Sequence, residues 1–334
     1  MELILHIGMG KTGSTAIQSG LRKHADRLQK NGAEYLGMWL EPGPFKLSWP
    51  AYAEFFKQPP EVWRERARTV AAYMQRREVE GGPSIGIYSN ESFFHNADEF
   101  EAFFDEFGKF GKIRAIAYAR NPQRWLPSAY NQWGVRHKTA KGKIPPYPEL
   151  ARKHVKQYGE LLKWHRRFGD KLTVLPYDGI GDVTQHFLGQ CGLRMKVPEE
   201  RVYSSGETAD TLLRAWFNNR FDEPVEPPRF LAVLGRSFRK GVPHLDALAT
   251  QTQDFSETGA IIEENAHIFD NFSRVFGFEL RDPEAVAPPP PDMDAVRDRL
   301  IDYLIELNID QSLRLRVLER KFEELEGKAG PDTD

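Results

Sequence analysis

Short runs of consecutive apolar residues alternate along this chain with longer stretches whose apolar positions recur every three or four residues. LILHIG, AEYLG, SIGIYS, IRAIAYAR and KLTVLPY are the short runs, rich in branched and aromatic residues, and each predicts a buried strand. Helical spacing follows them: from about Thr15 to Lys30 after the first, ADEFEAFFDEFGKF after the third, a helix after the fourth, and DVTQHFLGQCG after the fifth. AEYLG leads instead into a loop rich in tryptophan. The alternation predicts an α/β fold, a parallel sheet flanked by helices, with a mainly helical C-terminal part from Glu199 onward. In such sheets chemistry gathers at the carboxyl ends of the strands, so the loops after Ile7, Tyr88 and Ala119 are expected to converge.

Past residue 285 the pattern changes. The proline run in residues 286–292 cannot continue a helix and reads as a stiff linker. Residues 293–326 then carry a stripe through Met293, Val296, Leu300, Tyr303, Leu307, Gln311, Leu315, Leu318, Phe322 and Leu325, spaced by threes and fours, with one polar interruption at Gln311. That helix can pack on its own domain, or on a second copy as a coiled coil. Residues 327–334 read as a frayed tail, and residues 1–285 as one domain.

Composition narrows the chemistry. The 334 residues are 40% hydrophobic, enough for a large core, and the formal net charge is −2, so no overall positive field favours nucleic acid or an acidic membrane. A single cysteine, Cys191, leaves no internal disulfide framework and no cysteine-based zinc site. No run reaches the ~20 apolar residues of a spanning helix, and the expectation is a cytoplasmic protein.

The first strand runs into GMGKTGSTAIQ. A triphosphatase loop has the form G-x-x-x-x-G-K-[ST]; here Gly8 and Gly13 keep the glycine spacing and Thr15 the hydroxyl, but Ser14 holds the lysine position and Lys11 lies three residues earlier. Backbone N–H groups from Lys11 to Thr15 and the following helix N-terminus still cradle a tetrahedral anion. About a hundred residues later, in AIAYARNPQRWLPSAYNQW, Arg120 ends a strand and Asn121-Pro122 turns the chain; Pro127 is expected to start a helix with Ser128 in its first turn. Two anion sites at strand ends of one sheet suit a ligand charged at both ends.

GMGKTGSTAIQ resembles the 5′-phosphosulfate loop of sulfotransferases that use 3′-phosphoadenosine 5′-phosphosulfate (PAPS), and the Arg120–Ser128 segment resembles that family's 3′-phosphate element. The resemblance covers residues 1–195. It implies a P-loop NTPase-like fold without a required metal, with PAPS as sulfuryl donor and adenosine 3′,5′-bisphosphate (PAP) as product. Lys11, Thr12, Gly13, Ser14, Thr15, Arg120 and Ser128 would then hold the nucleotide, with Lys11 also stabilising the leaving oxygen. The family often places a catalytic glutamate or histidine after the third strand, which gives Glu91 as base, with His95 in reserve. The acceptor is expected to be a hydroxyl, on a carbohydrate by preference. Arg239 to Gly241 repeat the start of a third nucleotide element but read better as a basic turn. His6, inside the first strand, reads as a buried histidine bonded to a neighbour.

Several features stay open between function and packing. Trp39, Phe45, Trp49, Tyr52 and Trp63 can either stack on an acceptor or fill a core. The basic run from Arg136 to Lys156 can shape a lid, hold an anionic acceptor, or be a solvated face. Two rival functions also stand: a P-loop kinase using ATP and magnesium, opposed by Ser14, and an inactive nucleotide-binding scaffold, opposed by Lys11.

Overall fold

The structure, a computed structural model, describes residues 1–40, 54–197, 208–233, 245–282 and 284–328. The chain forms two compact units, the first of Met1–Ala129, Ala151–Ser204 and Glu257–Ala287, the second of Tyr130–Leu150, Ser205–Ser256 and Pro288–Asp334. Among the described residues no helix is long and apolar enough to cross a membrane.

The first unit is built on five strands, β1 (Glu2–His6), β2 (Ala33–Gly37), β3 (Ile85–Ser89), β4 (Lys112–Ala119) and β5 (Leu172–Pro176), in the order β2-β3-β1-β4-β5. Every pairing is parallel. Parallel strands covered by helices on both faces have no solvent side, which is why these runs are apolar without alternation: Leu3, Ile4, Leu5 and Ala115 to Ala119 are buried completely. This is the P-loop type of α/β sheet expected from the sequence, with β1 central and the glycine loop at its carboxyl end.

Register decides where the loops fall. His6 pairs with Ser89 on one side and Ile116 on the other. β4 therefore runs three residues past the end of β1 to Ala119, about 10 Å at the usual rise of a strand. That overhang carries Arg120 up beside the glycine loop. On the other flank Ala119 pairs with Pro176, and the Tyr177 N–H donates to the Ala119 carbonyl at 2.8 Å. The loop after β5 thus joins the same edge, a convergence the sequence pattern did not single out.

Two helical expectations need correcting. The segment from Thr15 to Lys30 is two helices, α1 (Ser14–Lys23) and α2 (Ala25–Lys30), because His24 leaves helical geometry at φ −107°, ψ 26°. The helix after β4 starts at Pro122, not Pro127: Asn121 Oδ1 accepts from the N–H groups of Gln123 at 2.9 Å and Arg124 at 3.4 Å, and Pro122 has no N–H to lose at the first position. Pro127 lies inside the helix and Ser128 in its last turn, so Ser128 has no helix N-terminus of its own.

The aromatic residues of the first unit are largely core. Trp63 is buried against Phe55 and Phe100, while Phe45, Trp49 and Tyr52 lie outside the described residues. Trp164 is buried too, its indole N–H donating to the Phe94 carbonyl at 2.9 Å. Cys191 is likewise buried, and desolvation pushes its thiol up to about 12. Arg152, from the basic run, pairs with Glu257 and Glu264 on the surface of this unit.

The second unit is helical. Phe217, Val225 and Phe230 form a small core, and the Asn218 amide donates to the Val135 carbonyl at 2.6 Å. Lys138, another member of the basic run, is fully buried, its ammonium donating to the carbonyls of Phe221 at 2.5 Å and Glu223 at 2.8 Å. It ties this unit together instead of covering a ligand. The C-terminal helix, Met293–Lys328, packs against helix Thr208–Asn218, and along the first half of its stripe Val296 is buried and Leu300 and Leu307 are partly buried. The intramolecular reading of that stripe therefore holds for its first half. From Gln311 onward its described residues are exposed.

Candidate functional site

The site lies at the carboxyl ends of β1, β3, β4 and β5. After β1 the backbone turns twice through positive φ, at Lys11 (66°) and Gly13 (81°), before entering α1. Gly13 is the N-cap of α1, and a Cβ there would come within 2.7 Å of Val183 Cγ1, so only glycine satisfies both the dihedral and the close approach. No acidic residue sits in the first turn of α1, so the unbonded N–H groups and positive dipole end of the helix are left for an external anion.

The hydroxyls of this loop divide between packing and site. Thr12 is fully buried and donates to the Met9 carbonyl at 2.5 Å, which spends its proton inside the loop. Thr15 is exposed in the first helical turn. Ser14 is the informative one: its Oγ is buried and lacks a partner of good geometry. The Glu91 carboxyl leans toward it, close enough to be influenced yet too loosely placed to satisfy the hydroxyl.

Glu91 opens a short 3₁₀ turn, Glu91–His95, directly after β3, with Asn90 as cap accepting from the Ser92 N–H at 3.0 Å. Asn90 is fixed from both sides, its N–H donating to the His6 carbonyl at 3.1 Å and its amide to the Met38 carbonyl at 2.9 Å. A Cβ on Gly8 would fall 3.2 Å from Glu91 Cγ, so the Glu91 side chain lies over the start of the glycine loop. Although part of Glu91 faces solvent, the surrounding protein desolvates its carboxyl and raises its pKa, with Ser14 and the Lys11 charge pulling the other way. His95, at the far end of the turn, packs its ring on Phe94, and desolvation lowers its pKa.

The strand-loop-helix element comes to the glycine loop by two hydrogen bonds. Arg120 Nη1 donates to the Lys11 carbonyl at 3.3 Å, and Trp125 Nε1 to the Gly10 carbonyl at 2.8 Å. Arg120 is braced from behind: Tyr158 Oη donates to its carbonyl at 2.6 Å, and its guanidinium lies over the Tyr177 ring at 5.5 Å. Asp178 accepts from the Asn121 N–H at 2.6 Å and stands 3.9 Å from Arg120 Nε and 3.8 Å from Arg124 Nη1. At 3.9 Å the contact with Nε is an ion pair without a hydrogen bond, and that buried N–H has no partner. Ser128, half-buried, is one turn on from Arg124 and Trp125 and shares their helix face.

Two buried donors without acceptors, Ser14 Oγ and Arg120 Nε, thus stand at the ends of adjacent strands. Buried polar groups are normally paired, so each is a candidate partner for a ligand oxygen. Residues 8–15 and 120–128 come together as the sequence suggested; Tyr177 and Asp178, which sequence reasoning missed, complete the second anchor. Their signal was available in the position of YD at the end of the run KLTVLPY. Arg239, Lys240 and Gly241 lie outside the described residues. His6 is fully buried with its Nδ1 2.7 Å from Ser89 Oγ, and desolvation lowers its pKa to about 3.

The solved structures similar to this chain include two sulfotransferases. One is the sulfotransferase from Alicyclobacillus acidocaldarius, 12% identical, over 66% of this chain and 96% of that one, with a TM-score of 0.34. The other is the sulfotransferase domain of the Synechococcus PCC 7002 olefin synthase, 15% identical, over 80% and 94%, with a TM-score of 0.37. At such values the likeness carries nothing about substrates. No protein-family model matches the chain, and no curated protein matches it.

Proposed function

We propose that this protein is a sulfotransferase that takes the sulfuryl group of 3′-phosphoadenosine 5′-phosphosulfate and passes it to an acceptor hydroxyl. The observation that carries the reading is the pair of unsatisfied donors, Ser14 Oγ and Arg120 Nε, on two anion anchors joined through the Lys11 carbonyl. A donor nucleotide with a phosphosulfate at one end and a 3′-phosphate at the other supplies acceptors for both.

In this reading the loop N–H groups, Ser14 and Thr15 hold the 5′ end, and Thr12 keeps the loop in shape from inside. Arg120 and Ser128 hold the 3′-phosphate, with Asp178 setting the Arg120 guanidinium. When bound, the donor supplies an electrophilic sulfur whose transfer leaves negative charge on the 5′-phosphate oxygen. Lys11 and the positive end of α1 stabilise that charge, an effect that grows along the reaction and therefore lowers the barrier. Glu91, whose pKa desolvation raises and which lies over the loop, accepts the proton of the attacking hydroxyl. His95 packs on Phe94, which leaves Glu91 as our choice of base.

The acceptor class we favour is a carbohydrate hydroxyl. Supporting it is Trp39, which follows Met38, the residue bonded to Asn90 beside Glu91; it packs against Phe55 at 5.2 Å and stays half-buried, so the part of its ring left to solvent can meet a sugar.

Isothermal titration against adenosine 3′,5′-bisphosphate and ATP with magnesium, followed by transfer of labelled sulfate to pooled glycans and phenols, tests this. Metal-independent binding of the bisphosphate and label in the glycans are expected. Tight binding of ATP with magnesium alone would instead support a kinase; bisphosphate binding with no transfer to any pool would support a scaffold.

A further inference from the structure

The C-terminal helix carries a heptad stripe on a face its own unit does not cover, continuous with the exposed second half of the first stripe. Its positions follow a strict alternation of three and four: Ile301, Asn308, Leu315 and Phe322 at one set of heptad positions, a, and Leu304, Gln311 and Leu318 at the other, d. In the half of the helix that packs against helix Thr208–Asn218, Leu300 and Leu307 are partly buried. By contrast Ile301 and Leu304 are 54% exposed, Leu315 59%, Leu318 55% and Phe322 66%. A seven-residue repeat matters because an isolated straight helix of 3.6 residues per turn has no reason to keep it, whereas a left-handed supercoil does.

We infer that residues 301–322 form a parallel two-stranded coiled coil with a second copy of this chain. Charge decides the partner and the direction. Of the positions beside the stripe, g holds Leu307, Arg314 and Lys321 and e holds Ile305, Ser312 and Glu319, so the charged ones are basic at g and acidic at e. In a parallel pair Arg314 meets Glu319 of the other copy, opposite charges at both symmetric contacts. An antiparallel pair would bring g against g and e against e, setting like charges together. In the single chain Arg314 Nε pairs with Asp310 one turn back, at 3.0 Å on an exposed surface, a pair weak enough to exchange. Asn308 at an a position, with Gln311 next to it at d, makes the polar layer that fixes register in two-stranded coils. Ile at a with Leu at d in the first heptad also favours two strands.

The test uses the full chain. Sedimentation equilibrium should give twice the mass of one chain at micromolar concentration, and the pair Leu315→Glu and Leu318→Glu together should give one chain's mass. Both leucines are exposed in the single chain, so its folding, read by circular dichroism and the thermal midpoint at low concentration, should not change. Arg314→Glu should weaken the dimer several-fold, and adding Glu319→Arg should restore it. Leu318→Cys should cross-link quantitatively under mild oxidation, since identical d positions meet only in the parallel arrangement. A monomeric wild type, a dimer indifferent to the double glutamate variant, a trimer, or a dimer that fails to cross-link at Cys-substituted Leu318 would each overturn the inference.

Discussion

Arg120 Nη1 donates to the Lys11 carbonyl across 3.3 Å, so the two segments that each read as an anion site in the sequence are one structure in the fold. The bond is possible because β4 overhangs β1, and it leaves Arg120 Nε, on the same guanidinium, without an acceptor. An anion bound at Arg120, as proposed, would therefore be coupled to the shape of the glycine loop.

Replacing Arg120 by alanine should weaken bisphosphate binding by about 1.5–3 kcal/mol, the usual worth of hydrogen bonds to a charged group. Asp178→Asn keeps an acceptor for the Asn121 N–H but removes the charge beside Arg120. Its effect should be smaller and fall on affinity rather than on the thermal midpoint. Isothermal titration of both variants separates a binding guanidinium from a merely structural one.

Turnover should follow the ionisation of Glu91. A base must be deprotonated, so kcat/KM should climb with pH through a limb lying above the ordinary carboxylate range, because desolvation raises this group. Ser14 and the Lys11 charge both hold that pKa down, so Ser14→Ala should move the limb to higher pH. Glu91→Gln should abolish turnover while binding the bisphosphate no more weakly than the wild type. A Glu91→Gln enzyme with an unchanged limb would assign the limb elsewhere.

Lys11→Ala should reduce kcat far more than it weakens bisphosphate binding, since its charge serves an oxygen that becomes anionic only as the bond breaks. Comparable losses in both would mean that Lys11 binds the ground state.

Gly13→Ala places a methyl group at φ 81° and 2.7 Å from Val183 Cγ1. The variant should lose bisphosphate binding and melt at lower temperature. Adding Val183→Ala relieves the collision but not the dihedral, so recovery in the melting curve should be partial.

Acid should destabilise the first unit through His6. Its folded pKa is about 3 against about 6.5 unfolded, so between those values the unfolded chain binds a proton that the native chain does not. Stability falls as pH drops through that window, by up to about 1.4 kcal/mol per pH unit for this one group. Urea titrations of wild type and His6→Asn at several pH values should show the shallower slope in the variant.

Taken alone, the order of apolar runs determined the parallel sheet, because strands buried on both faces must be continuously apolar, and it placed the glycine loop and Arg120 at strand ends. Local chemistry also announced Gly13, where a left-handed turn enters a helix. The start of the next helix was misread because Pro122 and Pro127 are equivalent by backbone preference; only the tertiary structure shows Asn121 capping the earlier one. Likewise only packing turned Thr12 and Trp63 inward, gave Lys138 two carbonyls to hold, and brought Tyr177 and Asp178 behind Arg120. The reason is common to all of these. Periodicity and turn preference act between near neighbours in the chain, whereas strand register and the pairing of buried polar atoms are set by residues up to about a hundred positions away.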